Sequence, residues 1–351
     1  MKKHILVCIA CLMGAAMLHA EAPANYYAEA EGKSGEDLRK ALYTIIGSPK
    51  TVGYDGLWEA YETTDVTDDG KVWDMYSTCN FSFSDAGSNQ KKVCDCFNRE
   101  HTVPQSWFGS GNMKSDLFNV YPTDCRVNNF RGNNSYGETS TRTNIDNDSR
   151  ALGYIGTSNF SGYSDKVYEP DDQYKGDLAR SAFYCATAYA NNASSWGRTF
   201  GSTSGLSSYG VNLFMKWHRN DAVSEKETNR NDAVYAKQKN RNPFIDHPEL
   251  AEYIWGDKKG QKWYSNGDTP IEQVAFQNLT LYPNPAHSFV TVAAETAELN
   301  YAILTLSGQT LAQGRIASGA SIALGDLQNG LYLLRLEADG RQQVEKLMVN
   351  R

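Results

Sequence analysis

The chain has 351 residues, 40% of them apolar, and a formal net charge of −7 at pH 7. That length accommodates one large and one small domain, and the apolar share is that of a folded chain with a core, which excludes a wholly disordered protein. The acidic balance excludes a broadly basic surface that coats nucleic acid, while leaving room for a locally basic cleft that works with a cation.

The first twenty residues read as an export signal. Lys2 and Lys3 form a basic start, Ile5 to Leu18 is mostly apolar, and Leu18-His19-Ala20 ends on a small residue suited to a cut. No later stretch approaches the roughly 18 to 20 uninterrupted apolar residues of a spanning helix. The expectation is a soluble, secreted chain beginning near Glu21, with no transmembrane segment. The signal takes Cys8 and Cys11 with it, so Cys79, Cys94, Cys96, Cys125 and Cys185 enter an oxidising compartment. These allow at most two disulfides and one spare thiol, with the pairing open. Cys94 and Cys96 have no second C-x-x-C or spaced His pair to complete a zinc site.

Residues 21–268 form the candidate catalytic domain, rich in Tyr, Trp, Asn, Asp and Gly, with helical patches between polar loops. Glu36 to Ile46 has helical spacing through Leu38, Leu42, Ile45 and Ile46, and Asp177 to Tyr189 is a second helix carrying Leu178, Phe183, Tyr184 and Ala188. Asn191 to Gly210, crowded with Ser, Gly and Asn, reads as a solvated connection.

Catalytic imidazole chemistry is confined to His101, His218 or His247, because His4 and His19 lie in the signal and His287 lies in the terminal module. His218 beside Trp217 and His247 before Pro248 read as packing or surface residues. There is no H-E-x-x-H of a zinc protease and no G-x-S-x-G of a serine hydrolase. What stands out is Asn98-Arg99-Glu100-His101-Thr102-Val103-Pro104-Gln105-Ser106-Trp107-Phe108, then Asp116-Leu117-Phe118-Asn119, then Val127-Asn128-Asn129-Phe130-Arg131-Gly132-Asn133. Phosphodiester hydrolysis needs an activated water, a cation on the phosphate oxygens and help for developing charge. Glu, His, Asn and Arg supply those parts. A neutral His101 can accept a water proton near pH 7, and Glu100 with Asn128 offers hard oxygens suited to Mg²⁺, Ca²⁺ or Mn²⁺. Neighbours on an extended strand point to opposite faces, so Glu100 and His101 need a bend or bulge to reach one site.

These segments resemble the bacterial endonuclease I family, extracellular and periplasmic nucleases built on a ββα-metal motif. The likeness spans most of residues 54–250 and includes Trp73-Asp74-Met75-Tyr76-Ser77, Tyr168-Glu169-Pro170, Lys175-Gly176-Asp177-Leu178-Ala179-Arg180 and Asn240-Arg241-Asn242-Pro243-Phe244-Ile245-Asp246. It implies that His101 is the general base, that Glu100 and Asn128 hold a divalent cation, Mg²⁺ foremost, and that Arg180 lies near the scissile phosphate. Arg131 and Asn133 are expected on the substrate, and Asp116 behind the site. The bland alternatives are a turn or cap for Asn128, a salt bridge for Arg180 and a loop contact for Asp116. Two positions depart from the family pattern: Phe118 stands where a His is common, and Gly132 where a Ser is common.

After Asn266-Gly267-Asp268-Thr269-Pro270 the chain changes character, and 269–277 reads as a linker. Leu279 to Tyr282, Phe289 to Ala293, Ala302 to Leu306, Ile322 to Leu324, Leu331 to Leu336 and Glu345 to Val349 read as short strands, with Ser307-Gly308 as a hairpin turn. A small all-β sandwich over 278–351 follows. Leu281-Tyr282-Pro283-Asn284-Pro285-Ala286, Gly330-Leu331-Tyr332-Leu333-Leu334-Arg335-Leu336 and Lys346-Leu347-Met348-Val349 resemble a type IX secretion sorting domain, which implies dealings with that secretion machinery; a carbohydrate-binding or spacer sandwich is the alternative.

The expected whole is an α+β chain: a ββα-metal nuclease domain of mixed helices and short strands, then a small sandwich. The family resemblance implies a secreted, divalent-metal-dependent endonuclease that cleaves DNA, and RNA too, with little sequence preference and 5′-phosphate products; a monomer is expected. The rivals are a non-catalytic surface nucleic-acid binder or adhesin on the same fold, and a phosphodiesterase for another exported substrate.

Overall fold

The computed structural model describes residues 22–143, 145–189, 193, 196–201, 205–266, 276, 278–325, 327–338 and 341–351. The expected signal, 1–20, lies outside them, as does the expected linker apart from Phe276. The chain divides into two compact units between Ser265 and Asn266, and among the described residues helices are confined to the first.

In the first unit, α1 (Gly35–Ile46) forms where the sequence spacing placed it, because Leu38, Leu42 and Ile46 recur on one buried stripe. Helix α2 (Leu57–Thr64) follows, burying Leu57, Ala60 and Tyr61. Strand β1 (Phe97–His101), the short α3 (Gln105–Phe108), β2 (Val120–Asp124) and α4 (Cys125–Arg131) come next. Strands β3 (Ser135–Tyr136), β4 (Tyr154–Thr157) and β5 (Lys166–Glu169) form a separate sheet in the order β3-β5-β4.

Helix α5 (Lys175–Ala188) is the centre of this unit. Every residue from Gly176 to Ala188 is buried, and the helix packs on α1. A helix buried all round must bury its polar residues too, which forces Asp177, Arg180, Ser181 and Thr187 to find partners inside.

The stretch expected as a solvated connection, 191–210, is not one in its described part. Phe200–Gly201 (β6) pairs with Gly205–Leu206 (β7), and Trp196, Phe200, Leu206 and Tyr209 are buried. Gly205, at φ +76°, lies so close to α5 that a Cβ there would meet the Ala186 carbonyl at 2.3 Å. The apolar residues scattered among Ser and Gly drive this segment onto α5. Helices α6 (Ser208–Asn220), α7 (Glu225–Gln238), α8 (Pro243–Asp246) and α9 (Leu250–Ile254) complete the unit, with α6 and α8 also packed on α5.

The second unit is strands throughout: β8 (Thr280–Tyr282), β9 (Phe289–Ala293), β10 (Glu298–Leu304), β11 (Thr310–Ala317), β12 (Ala320–Ala323), β13 (Gly330–Ala338) and β14 (Arg341–Val349). One sheet runs β11-β10-β13-β14 and the other β12-β9-β8. Val290 and Val292 from one and Ile303, Leu334, Leu336 and Leu347 from the other bury into a single apolar core. The β10–β11 hairpin turns at Ser307-Gly308, with Gly308 at φ +85°.

Candidate active site

Strands β1 and β2 pair antiparallel with Glu100 opposite Tyr121 and His101 opposite Val120, and α4 starts at the residue after β2. The chain turns sharply into that helix because the Asp124 carboxylate accepts from the Arg126 and Val127 amides at 2.8 and 2.9 Å. This is a ββα unit. Two disulfides clamp it: Cys96–Cys125 joins the residue before β1 to the first residue of α4, and Cys79–Cys94 ties down the preceding loop. Cys185 is the free thiol, buried in α5. The C-x-C pair therefore splits between two partners. Glu100 lies four residues beyond one end of the Cys96–Cys125 bridge and Asn128 three beyond the other, so the bridge limits how far those two can part.

Glu100 is 3% exposed. Its Oε1 accepts from the Tyr76 hydroxyl and from Arg131 Nη1, both at 2.8 Å. Burial raises its pKa, and the Arg131 charge and the two hydrogen bonds oppose that rise. No donor among the described residues meets its Oε2. Arg131, expected on the substrate, is 1% exposed and spent inside the protein: Nη1 also donates to the His101 carbonyl at 2.7 Å and Nη2 to the Thr102 carbonyl at 2.8 Å. Its guanidinium holds Glu100 to the end of β1 and has no fork left for phosphate.

His101 Nε2 lies 3.0 Å from the Lys114 carbonyl. A carbonyl can only accept, so Nε2 carries the hydrogen and Nδ1 keeps its lone pair. The ring stacks on Tyr54 at 6.0 Å and 23°, with Phe108 tilted against it at 5.9 Å. Burial lowers its pKa to about 4; the Lys114 carbonyl bond opposes this, while the charges of Arg131, Arg99 and Lys114 reinforce it. The imidazole is neutral at pH 7.

Asn128, half-buried on α4, donates from Nδ2 to the Arg99 carbonyl at 3.3 Å, and no donor among the described residues claims its Oδ1. Glu100, His101 and Asn128 all line one open cleft of ≈ 230 Å³. No bulge was needed to bring Glu100 and His101 there. The β1–β2 register is regular, and the two side chains do take opposite faces, Glu100 toward Tyr76 and His101 toward Tyr54. The cleft simply crosses the end of the strand.

Asn133 is exposed at the cleft rim, beyond Gly132. Gly132 sits at φ +55° with its amide on the Asn128 carbonyl, a conformation that explains glycine where the family pattern has serine. Asp116 is fully buried and touches none of the three: Oδ2 accepts from Tyr184 and Tyr189 hydroxyls at 2.7 and 2.6 Å, and Oδ1 from Gln238 Nε2 at 2.9 Å. It fastens the segment whose Lys114 carbonyl orients His101. Phe118 packs on Tyr184 at 4.8 Å inside the core.

Arg180 does not line the cleft. It is fully buried on α5, with Nε and Nη2 on the two oxygens of Glu227 at 2.5 and 2.7 Å and Nη1 on the Asp221 carbonyl at 2.7 Å. The phosphate role expected from the sequence is replaced by an internal ion pair, the bland alternative. His218 lies against Arg180 and the Pro248 carbonyl, and His247 pairs with Glu249, so neither enters the cleft. Sequence reasoning passed over Arg99 and Tyr54; the i, i+2 spacing of Arg99 and His101 on one strand was the available signal.

The donors fit a hard divalent cation, since Glu100 and Asn128 both line one cleft and each keeps an oxygen, Oε2 and Oδ1, that no described residue claims. Cys79, Cys94 and Asp124 also lie close enough together to share an ion, but the sulfurs are bonded to each other and the carboxylate caps α4 and accepts from the Cys94 amide at 2.6 Å. That group is structural.

A family model described as Endonuclease I matches residues 34–249, and one described as a secretion system C-terminal sorting domain matches residues 280–350. The chain is 32% identical over 241 residues to an extracellular ribonuclease of Bacillus subtilis (strain 168), covering 66% of this chain and 78% of that protein. It is 33% identical, with the same coverage, to an extracellular ribonuclease of Bacillus amyloliquefaciens. A solved structure of PorZ, a surface component of the type-IX secretion system of Porphyromonas gingivalis, matches 24% of this chain and 13% of its own at 17% identity, with a TM-score of 0.20 that carries no argument.

Proposed function

The chain belongs to the endonuclease I family and is a secreted nuclease, and from that premise we propose that it is a divalent-cation-dependent endonuclease cutting RNA and DNA with little sequence preference and leaving 5′-phosphates. The observation that carries the reading is the meeting, at one cleft, of a neutral imidazole with a free Nδ1 and two unclaimed oxygens, Glu100 Oε2 and Asn128 Oδ1. The names of the Bacillus relatives support RNA as a substrate.

His101 takes the proton. Its Nδ1 accepts from a water as that water attacks phosphorus, and the resulting imidazolium keeps its place through Nε2–H on the Lys114 carbonyl and through the Tyr54 stack. Glu100 and Asn128 would hold the cation, which would supply polarisation of the phosphate and take up charge on the leaving oxygen. Arg131 keeps Glu100 aimed, and Tyr76 shares that task. Attack opposite the 3′ oxygen leaves the phosphate on the 5′ side.

The test is the full chain with plasmid DNA and with structured RNA, in Mg²⁺, Mn²⁺ or Ca²⁺ and with chelator, beside His101→Ala. Cleavage of both polymers, abolished by chelator and reduced by about 10²- to 10⁴-fold in His101→Ala, is expected. A variant that cut as fast as wild type would remove His101 from the mechanism. Binding without cleavage under every cation would make the protein a nucleic-acid binder.

A further inference from the structure

With Arg131 and Arg180 spent internally, the cleft still needs a cation for the phosphate. Arg99 is the other arginine that lines it. Its guanidinium carbon lies over Tyr54, 3.5 Å from the ring centre, and 4.3 Å from that of Trp58. Nη1 donates to the Tyr54 carbonyl at 2.8 Å and reaches the fully exposed Asp55 carboxylate only at 3.5 Å. Nη2 has no partner among the described residues, and Nε is buried without one. The side chain is 15% exposed, packed on two rings, with Nη2 unclaimed.

Its neighbours tie this arginine to the chemistry. Arg99 and His101 are two apart on β1, roughly 6.8 Å from Cα to Cα, and both lie on Tyr54. The Arg99 carbonyl receives the Asn128 amide, which leaves Oδ1 of that residue without a described donor. Other cations nearby stand apart from it: Arg126 makes a two-point bond to Asp146 at 2.6 and 2.7 Å, and Lys114, 4.5 Å from the Tyr54 ring centre, is not among the residues lining the cleft.

We infer that Arg99 is the substrate-contacting cation of this site, donating from Nη2 to the phosphodiester being cut, with Tyr54 and Trp58 as the aromatic clamp that holds its guanidinium. The inference rests on the nuclease reading. A guanidinium suits a phosphate better than an ammonium because it offers paired donors in a plane.

The experiment compares full-length wild type, Arg99→Ala, Arg99→Gln and Arg99→Lys on a single-stranded RNA, with kcat and KM measured across salt, folding checked by circular dichroism, and guanidinium ion added at millimolar concentration. Arg99→Ala should lose about 100-fold in kcat/KM, flatten the dependence of log kcat/KM on log salt by about 1, and regain rate with added guanidinium. Arg99→Lys should keep the wild-type salt slope. If the alanine variant does not fold, the glutamine variant, which keeps an N–H donor for Tyr54, carries the same readouts. A folded Arg99→Ala or Arg99→Gln with wild-type salt slope and no response to guanidinium overturns the inference and leaves the nuclease reading standing. Wild type that cuts nothing overturns the reading of the whole site.

Discussion

Two buried arginine–glutamate pairs in the first unit have opposite fates. Arg180 and Glu227 consume each other: both guanidinium edges are used, and the same Glu227 carboxylate accepts from the Ser224 amide at 2.9 Å to start α7. That pair bolts α5 to α7. Arg131 and Glu100 are buried as deeply, yet Arg131 engages a single oxygen of Glu100 and leaves the other without a described donor, on a residue that lines a cleft. Burial and charge are alike in the two places. On the proposed function, what separates the two pairs is the atom left without a partner, because an open oxygen beside a free imidazole nitrogen is where a cation and a water have something to gain.

Breaking the sealed pair has the largest expected effect, and on stability alone. Arg180→Ala leaves a buried Glu227 charge uncompensated and should cost about 3–5 kcal/mol, read as a lower denaturant midpoint, with the rate per folded molecule unchanged. A folded Arg180→Ala protein that lost most of its activity would return Arg180 to the phosphate. The open pair should respond the other way. Arg131→Lys keeps a charge but cannot hold Glu100 and two carbonyls at once, so the activating cation should bind about 10- to 100-fold more weakly, with the rate restored at saturating cation. An unchanged cation titration with a fallen kcat would mean that Arg131 touches substrate after all.

The third consequence concerns pH. His101 is held near a pKa of about 4 by burial, so as pH falls it stays neutral and able to accept a proton until that value. An ordinary imidazole would have lost about 30-fold of its neutral form by pH 5. At saturating cation, kcat/KM should therefore be flat from pH 7 to 5. A limb centred near 6.5 would show that His101 is solvated in the working enzyme and that its packing against Tyr54 and Phe108 opens.

How much of this the sequence disclosed follows from how far apart partners lie. The ββα unit was legible because Glu100, His101 and Asn128 come from one short stretch with a family pattern. Arg180 was misplaced because its partner Glu227 is 47 residues further on, and nothing local marks an arginine in a helical stretch as buried. Tyr54 and Trp58, roughly forty residues before β1, gave no hint that they flank it. In the second unit the apolar strands were legible by alternation, whereas β11, whose residues are mostly exposed, has no alternation to read. Within 191–210, composition pointed to solvent, and the few apolar residues outweighed it.

Asn133 offers the smallest effect and the finest test of the comparison. It was expected on the substrate with Arg131, and it lies at the rim of the same cleft, but it is exposed and has no partner among the described residues. A side chain that nothing holds must be ordered by the substrate, and that entropy offsets most of a single neutral hydrogen bond. Asn133→Ala should then change kcat/KM by less than about threefold and stability by less than about 0.5 kcal/mol. A loss of 100-fold would mean that substrate draws Asn133 into a fixed position, and that an unpartnered rim residue can matter as much as the preset atoms of Glu100, His101 and Asn128.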